Sequence, residues 1–306
     1  MRKESLNAIY QLAKNNNKVI FMGSDLGFNV LEDMKIKIPD QFIMEGVSEQ
    51  HIIGMSAGLA MDGFIPFVNT IATFLTRRSY EQIAIDLCLH NLPVKLIGNG
   101  GGGVYAPLGP THLAIEDISL MRNLPNMSVF TPSGPTEVRN IINALEFYKS
   151  PSYIRIGKGG EPDIYNKDEL FQIGRPVLLK KSDDVMIYSC GIMSHIAIEI
   201  AEELSAKVNI GVMHFHTIKP LDEEFILEHS IKSKKIFTIE ENVLSGGFGS
   251  LILETFSDNE PTLCSKVYRF GIPDSFDSIY GNQKDLMNYW GISKEKLKQK
   301  ILDKLD

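Results

Sequence analysis

Short apolar runs that alternate with helical patterns constrain the fold of this chain more than any other feature. Runs rich in β-branched and aromatic residues recur along it, at 19–23, 66–72, 93–98, 127–132, 152–156, 185–190, 208–215, 235–240 and 266–272. Helical patterns separate them, among others at 48–63, 78–91, 135–149, 194–204 and 222–229. Strands that alternate with helices are typical of βαβ units. The pattern therefore predicts an α/β fold with mainly parallel sheets.

A break in this alternation divides the chain. Residues 157–175 are rich in glycine, charged and polar side chains and have no helical period, as is usual for linkers. The length of 306 residues also exceeds what one core usually organises. We therefore expect two α/β domains, at residues 1–160 and 176–306, joined by a linker at 161–175.

Composition indicates a protein that binds small molecules or other proteins. The formal net charge of −7 provides no basic surface for nucleic acid or anionic membranes. The cysteines, Cys88, Cys190 and Cys264, are too widely spaced to indicate a disulfide framework or a zinc site. The N-terminus lacks an apolar signal core, and no apolar run is long enough to cross a bilayer. We expect a cytoplasmic location.

A glycine run lies in LIGNGGGGVYAPLGPTH, residues 96–112, after a predicted strand. A dinucleotide fingerprint would need its glycines to lead directly into a helix, whereas a tyrosine and two prolines continue this loop. The run favours a flexible or closely packed active-site loop, and a long turn is the alternative. Its last residue, His112, is suited to proton transfer near neutral pH, although the residues alone favour a hydrogen-bonded structural histidine.

Two further histidines, His214 and His216, alternate in HFH and point the same way from one strand. Because no third ligand accompanies them, structural roles are favoured over metal binding. We predict no metal ligands in this chain.

Two carboxylates, Glu45 and Glu49, stand where a strand-like run turns into a helix, in QFIMEGVSEQHIIGMSAGLA at 41–60. A helix that begins at Ser48 places Glu49 in its first turn, where the helix dipole favours a carboxylate. In a second interpretation, Glu49 is held in an apolar cleft and exchanges protons with a ligand. Periodicity leaves both interpretations open.

A series of motifs decides between them. GVSEQHIIGMSAGLAMDGFIPFV, TFLTRRSYEQI, GPTH, LPNMSVFTPS, IKPLD, IEENVLSGGFGS and FGIPD follow one another along the chain. In order and spacing they resemble the C-terminal two-thirds of transketolase and 1-deoxyxylulose-5-phosphate synthase. The resemblance implies a pyrimidine-binding domain of a thiamine diphosphate enzyme, followed by the transketolase C-terminal domain.

The resemblance also implies a partner. Enzymes of this family bind the diphosphate and Mg²⁺ through a separate domain with a Gly-Asp-Gly motif, and that motif does not occur in the 306 residues. We therefore expect one subunit of a split enzyme, active only with an N-terminal transketolase subunit that binds most of the thiamine diphosphate and Mg²⁺. Because the family's active sites lie between such domains of two protomers, we expect an α₂β₂ heterotetramer.

Several positions match cofactor-binding residues of the family. Glu49 matches the carboxylate that contacts N1′ of the aminopyrimidine and shares a proton with it, a role in proton tuning. Phe74 and Tyr80 match aromatic residues that enclose the ring, and core packing on a helix face is the alternative for Tyr80. Arg77 stands where transketolase has a further aromatic residue, whereas the synthases have an arginine nearby. Glu45 has no counterpart, and we assign it a structural role.

The segment MGSDLG provides two more matches. Asp25 matches an acid that helps to build the cofactor site, and Leu26 lies beside the pyrimidine in that comparison.

The matches on the substrate side are less complete. His112 matches a histidine that contacts substrate and intermediate, and Arg155 an arginine that holds a sugar phosphate; for Arg155 a surface salt bridge is the alternative. Asn29 replaces a serine that assists phosphate binding, and Leu108 replaces an aspartate that contacts a sugar hydroxyl. These departures predict ketol transfer with an unusual or modified sugar.

Two other classes remain as rivals. One is the β subunit of a 2-oxo acid dehydrogenase E1 or acetoin dehydrogenase, which shares the two-domain plan. The other is a non-catalytic assembly partner, although a pure scaffold would not need the pyrimidine site. The resemblance favours a transferase of the transketolase type.

Overall fold

The computed structural model describes residues 1–24, 30–165, 171–276 and 278–305. Six strands of its first half are β1 Val19–Gly23, β2 Phe42–Met44, β3 Ile65–Ile71, β4 Lys95–Asn99, β5 Ser128–Phe130 and β6 Ser152–Ile156. Together with a later strand, β10 Thr217–Lys219, they form a sheet in the order β10-β5-β6-β4-β3-β1-β2. All of its pairs are parallel except that of β10 with β5.

Both faces of this sheet are buried. Along β1, Val19 and Phe21 belong to one buried cluster, and Ile20 and Met22 to another. Because successive side chains of a strand point to opposite faces, the two clusters lie on the two sides of the sheet. This arrangement explains why the strands appear in the sequence as continuous apolar runs.

Helices form the outer layers of this half. They are α1 Arg2–Asn15, α2 Glu32–Lys37, α3 Glu49–Met61, α4 Tyr80–Gln82, α5 Asp117–Arg122 and α6 Pro135–Leu145. α4 lies between two π-helical turns, Phe74–Arg78 and Ile83–Leu89. A π-turn holds more residues than an α-turn and is frequent at functional sites.

A second sheet belongs to the later part of the chain. Its strands are β7 Val177–Lys180, β8 Val185–Cys190, β9 Ile210–Phe215, β11 Lys235–Val243 and β12 Val267–Ile272, in the order β12-β11-β8-β9-β7. β7 is antiparallel to β9, and the other pairs are parallel. The accompanying helices are α7 Met193–Glu203, α8 Glu223–Ser230, α9 Phe248–Asn259, α10 Gln283–Tyr289 and α11 Lys294–Leu305. The predicted fold class, two α/β units with mainly parallel sheets, is confirmed.

The edge strand β10 joins the two halves. It comes from the second half of the chain but pairs with β5 of the first sheet, and the ammonium of Lys219 donates to the carbonyl of Leu124 at 2.7 Å. The sequence predicted two domains joined by a linker, and the pairing of β10 with the first sheet was not among the predictions. The division at 1–160, 161–175 and 176–306 stays a prediction. Among the described helices, none combines the length and apolar character needed to cross a membrane.

Candidate active site

Polar side chains line the carboxyl edge of the first sheet, where β1, β3 and β4 end. The hydroxyls of Ser24 and Thr70 lie 2.6 Å apart. The amide of Asn99 donates to Asn69 Oδ1 at 2.7 Å and to the carbonyl of Thr70 at 3.0 Å. In open α/β sheets this edge is where ligands bind, and the predicted site residues described below lie around it.

Glu49 is the first residue of α3 and is buried at this edge. Glu49 is 2% exposed, and its Oε2 accepts a hydrogen bond from Nη1 of Arg78 at 2.6 Å. Ser48 is the N-cap, so the partial positive charge of the helix N-terminus faces the carboxylate. Glu45 points elsewhere: it is a third exposed and lies 3.8 Å from His51, in agreement with a structural role.

The ring of Phe74 is joined to this carboxylate through Arg78. Its centroid is 4.6 Å from Cζ of Arg78, whose guanidinium covers the ring. The ring of His112 meets Phe74 edge to face, with 5.0 Å between centroids. The structure therefore brings together three predicted residues, Glu49, Phe74 and His112, through contacts made by Phe74 and Arg78.

His112 ends a short 3₁₀ turn, Pro110–His112. Its Nδ1 lies 3.0 Å from Oγ1 of Thr111, a contact that orients the ring. Before this turn, Gly109 has φ +80°, and a side chain there would collide with the ring of Tyr280. The backbone conformation therefore favours glycine, and the ring of Tyr280, from the second half of the chain, lies against this position.

Arg77 lies at the rim rather than over Phe74. Its guanidinium forms a bidentate ion pair with Glu116, in which Nη2 lies 2.7 Å from Oε2 and Nε donates to Oε1. The ring of Phe276 lies 5.7 Å from its Cζ. Tyr80 is half-buried and packs against the core cluster that contains Ile53, as in the core-packing interpretation. The cofactor roles of both residues stay predictions.

The glycine loop is closely packed, as one interpretation of its sequence proposed. Gly100 and Gly102 have φ of +74° and +65°, and a side chain at either position would overlap Tyr105 or Glu241. The amide of Gly103 donates to Oε1 of Glu241 at 3.0 Å. The loop therefore packs against the second half of the chain.

Arg155 lies inside this contact between the two halves. Its Nη2 donates to the carbonyls of Glu241 at 2.7 Å and Ala114 at 3.1 Å, and its Nε lies 3.3 Å from Asp117. The side chain is 10% exposed. It is thus neither the surface salt bridge of the alternative interpretation nor a neighbour of Glu49. Phosphate binding by Arg155 stays a prediction, and its guanidinium already has three protein partners.

The histidines of β9 and the turn after it also face the first half. Nε2 of His214 lies 2.9 Å from Oε1 of Glu137, and its Nδ1 lies 2.6 Å from Oγ of Ser194. Burial lowers the pKa of His216 to about 4. Both histidines are fully buried, so the structure gives them the structural surroundings that the sequence favoured.

Three predicted site residues, Asp25, Leu26 and Asn29, lie outside the described residues. Leu108 is half exposed in the loop that leads to His112. Sequence reasoning missed Arg78, the residue that contacts both Glu49 and Phe74. The double arginine of TFLTRRSYEQ was visible, but periodicity did not indicate which arginine faces the carboxylate.

Comparison with known proteins identifies the family. The model of the transketolase pyrimidine binding domain matches residues 1–160, and that of the transketolase C-terminal domain matches residues 174–297. The chain therefore belongs to the transketolase family, which confirms the resemblance found in the motifs.

Individual relatives narrow this assignment. The chain is 32% identical to one subunit of the apulose-4-phosphate transketolase of Phocaeicola vulgatus, over 96% of this chain and 94% of that protein. It is 30% identical to 6-deoxy-6-sulfo-D-fructose transketolase subunit SqwH of a Clostridium species, over 91% and 86%. The 1-deoxy-D-xylulose-5-phosphate synthase of Rippkaea orientalis is 36% identical, but this chain spans only 42% of it.

Solved structures give the same result. A split gene transketolase, described as an inactive β4 tetramer, is 31% identical with a TM-score of 0.89 and covers 99% of this chain and 97% of that one. A transketolase mutant from Pichia stipitis has a TM-score of 0.80 at 17% identity and matches over 45% of its own length, which supports the fold. The chain thus corresponds to the C-terminal subunit of a split transketolase.

Proposed function

We propose that this subunit acts in the transfer of a two-carbon ketol unit between sugars, with thiamine diphosphate and Mg²⁺. The observation that carries the proposal is the buried carboxylate of Glu49, which Arg78 joins to the ring of Phe74 at the carboxyl edge of the first sheet. The likeness to subunits of split transketolases supports the same reaction class.

The residues present fit an aminopyrimidine. The guanidinium of Arg78 lies on Phe74 and donates to Glu49, so the space between these two side chains, here called the pocket, already holds a flat group with N–H donors. An aminopyrimidine is also flat, stacks on an aromatic ring and presents ring and amino nitrogens to a carboxylate. When bound, thiamine diphosphate supplies the nucleophilic carbon that carries the ketol unit.

Each of the three residues that the structure brings together then has its own role. With the cofactor bound, Glu49 would hold or release a proton at Oε2 for the pyrimidine ring nitrogen, and the N-terminus of α3 would support its charge. Phe74 orients the pyrimidine ring and excludes water from the carboxylate. His112, whose Nδ1 is held by Thr111, would offer Nε2 to a substrate oxygen. We also propose cofactor roles for Asp25, Leu26, Arg77 and Tyr80, and substrate roles for Asn29 and Arg155.

The diphosphate and most Mg²⁺ contacts are assigned to a partner subunit. The Phocaeicola vulgatus relative, which this chain matches over 94% of that protein's length, is itself named as one subunit of a transketolase. We propose the same arrangement here, as an α₂β₂ heterotetramer in the cytoplasm that is active only when both kinds of subunit are present.

The substrate is proposed to be a modified sugar with an anionic end. Leu108 replaces a hydroxyl-contacting aspartate of the family, so a common polyol loses one polar contact. The names of two relatives specify apulose 4-phosphate and a sulfo-sugar, both of which carry a terminal anion. We propose that the ketose used here is likewise phosphorylated or sulfonated.

Reconstitution tests the proposal. The chain is purified with the product of a gene that encodes the Gly-Asp-Gly half, and ketol transfer is assayed with thiamine diphosphate, Mg²⁺ and panels of phosphorylated and sulfonated ketoses. We expect transfer by the complex and none by the chain alone. Transfer by the chain alone, or lipoyl reduction with a 2-oxo acid as substrate, would contradict it.

A matched pair of variants tests the carboxylate. Glu49→Gln keeps the shape but lacks the charge, and we expect its kcat to fall by about 10²-fold or more, the range of general acid–base catalysis. Glu45→Gln changes a partly exposed carboxylate four residues away and is expected to leave kcat unchanged. Equal kcat values for the two variants would contradict a role of Glu49 in the mechanism.

A further inference from the structure

Arg78 makes the two contacts that the proposed function assigns to the pyrimidine ring. Its Nη1 donates to Glu49 at 2.6 Å, and its guanidinium lies over Phe74, with 4.6 Å from Cζ to the ring centroid. A guanidinium is planar, carries several N–H donors and stacks on aromatic rings. It therefore resembles an aminopyrimidine in shape and in hydrogen bonding.

The neighbouring arginine shows that this placement is specific. Arg77 is held outside the pocket by its bidentate pair with Glu116 and by Phe276. Arg78 follows it within the same π-turn, Phe74–Arg78, and points to the carboxylate instead. Two consecutive arginines are thus divided between the rim and the pocket.

Burial explains what Arg78 does for Glu49. The Glu49 side chain is 2% exposed, whereas that of Arg78 is 43% exposed. A buried carboxylate without a partner is costly, and water has little access to this one. A half-exposed arginine can supply the partner and then leave, because its side chain borders solvent.

We propose that Arg78 is a built-in placeholder for the aminopyrimidine. It pairs with Glu49 while the pocket holds no cofactor, and it must swing out before the pyrimidine ring can stack on Phe74. Cofactor affinity is then reduced by the fraction of subunits in which the pocket is closed by Arg78. This inference rests on the proposed function and adds a gating step to it.

The first experiment measures the contact in the chain alone. Arg78→Met leaves Glu49 buried without its partner, so the midpoint of thermal unfolding is expected to fall. The double variant Glu49→Gln with Arg78→Met carries no buried charge and is expected to melt above the single variant. Arg139→Met is the control, since Arg139 is 42% exposed and pairs with Glu4 at 3.3 Å. Additive effects of the two substitutions would overturn the contact.

The second experiment measures competition in the reconstituted complex. Thiamine diphosphate with Mg²⁺ is titrated calorimetrically into complexes that contain the wild-type chain, Arg78→Met, Arg78→Lys or Arg139→Met. We expect Arg78→Met to bind the cofactor roughly fivefold or more tightly than wild type, because the pocket is no longer closed. Arg78→Lys keeps the charge without the planar group, and we expect its cofactor affinity to lie between those of wild type and Arg78→Met.

The outcomes separate this inference from the function on which it rests. If wild type binds the cofactor and Arg78→Met binds it equally or more weakly, Arg78 is no placeholder although the proposed function stands. If neither complex binds thiamine diphosphate, the proposed function itself fails and the inference with it.

Discussion

Two carboxylates that look equal in the sequence have different surroundings in the structure. Glu45 precedes Gly46, whose φ of +72° turns the chain, and its side chain stays near His51 at the surface. Glu49 follows the turn, at the start of α3, and is buried. The left-handed conformation at Gly46, accessible to glycine at little cost, therefore separates an ordinary surface acid from the candidate proton partner.

The buried ion pair of Arg155 with Asp117 gives a prediction at the scale of single residues. Asp117, its buried partner, has a pKa raised by burial, a rise that Arg155 opposes. We expect Arg155→Met to lower the free energy of unfolding by about 3–5 kcal/mol, because it leaves a buried carboxylate without its cation. Urea unfolding of the chain measures this loss.

The double variant Arg155→Met with Asp117→Asn is the control and is expected to recover part of the loss. The substrate role proposed for Arg155 has its own readout, because the single variant should raise KM for a phosphorylated ketose in the complex. Wild-type stability of the single variant would contradict the predicted loss of its ion pair with Asp117.

Most strands and helices could be predicted, because burial on both faces makes a strand visible as an apolar run. β1 appears in the sequence with its observed limits, and α3 begins one residue after the predicted start at Ser48. The edge strands β7 and β10 were not predicted, since they are short and pair on one side only. Their pairing depends on contacts between distant segments, which a local pattern does not contain.

The site could be predicted less completely than the fold. Motif resemblance pointed to Glu49, Phe74 and His112, which the structure brings together. Arg78 was missed because the π-turn changes the helical period, so spacing did not show which arginine faces Glu49. The loops that bring Phe276 and Tyr280 to the same region come from the second half of the chain, beyond the reach of local periodicity.

Glu240 links strand β11 to the start of helix α9. Its carboxylate is fully buried and accepts hydrogen bonds from the amides of Phe248 at 2.6 Å and Gly249 at 2.8 Å. Burial raises its pKa to about 7, against the opposing effects of these amides and of Arg269. Between about pH 4.5 and 7 the folded chain therefore keeps a proton that the unfolded chain has already released.

This retained proton predicts a pH dependence. Because the folded state binds the extra proton, stability falls as pH rises through that window, by about 3 kcal/mol for the whole shift. In Glu240→Gln we expect the difference in unfolding free energy between pH 5 and pH 8 to be smaller by about this amount, as measured in urea. Glu202→Gln, an exposed substitution on α7, should keep the wild-type slope. A slope unchanged in both variants would contradict the prediction.

At the scale of the whole molecule, the two halves are joined by buried polar contacts as well as by β10. Arg155 of the first sheet reaches the backbone of Glu241 in the second, and Glu137 of α6 meets His214 of β9. Such contacts are weak sources of net stability but costly to break. We therefore expect them to fix how the halves sit together, and with them the position of the Phe276 and Tyr280 loop beside Arg77 and Gly109.

Glu137 gives this expectation a measurable form. It accepts hydrogen bonds from the amide and hydroxyl of Ser133, at 2.6 and 2.7 Å, and from Tyr165, and it lies against His214. Burial alone would raise its pKa, but His214 foremost, together with His216 and the amide of Ser133, lowers it to about 2. Its contribution is then complete above the unfolded value near pH 4.5 and is lost as pH falls through about 2.

We therefore expect Glu137→Gln to be less stable than wild type by about 3 kcal/mol at pH 7, with the difference shrinking as pH falls from 4.5 toward 2. Calorimetric unfolding across this range measures it. Glu146→Gln, just beyond the end of the same helix and bonded to Asn16, is the control and should follow the wild-type curve.

If Glu137 couples the two halves, Glu137→Gln should also unfold over a broader range, since each half then melts more independently. A constant difference at all pH values would mean that Glu137 acts by packing and not through its charge.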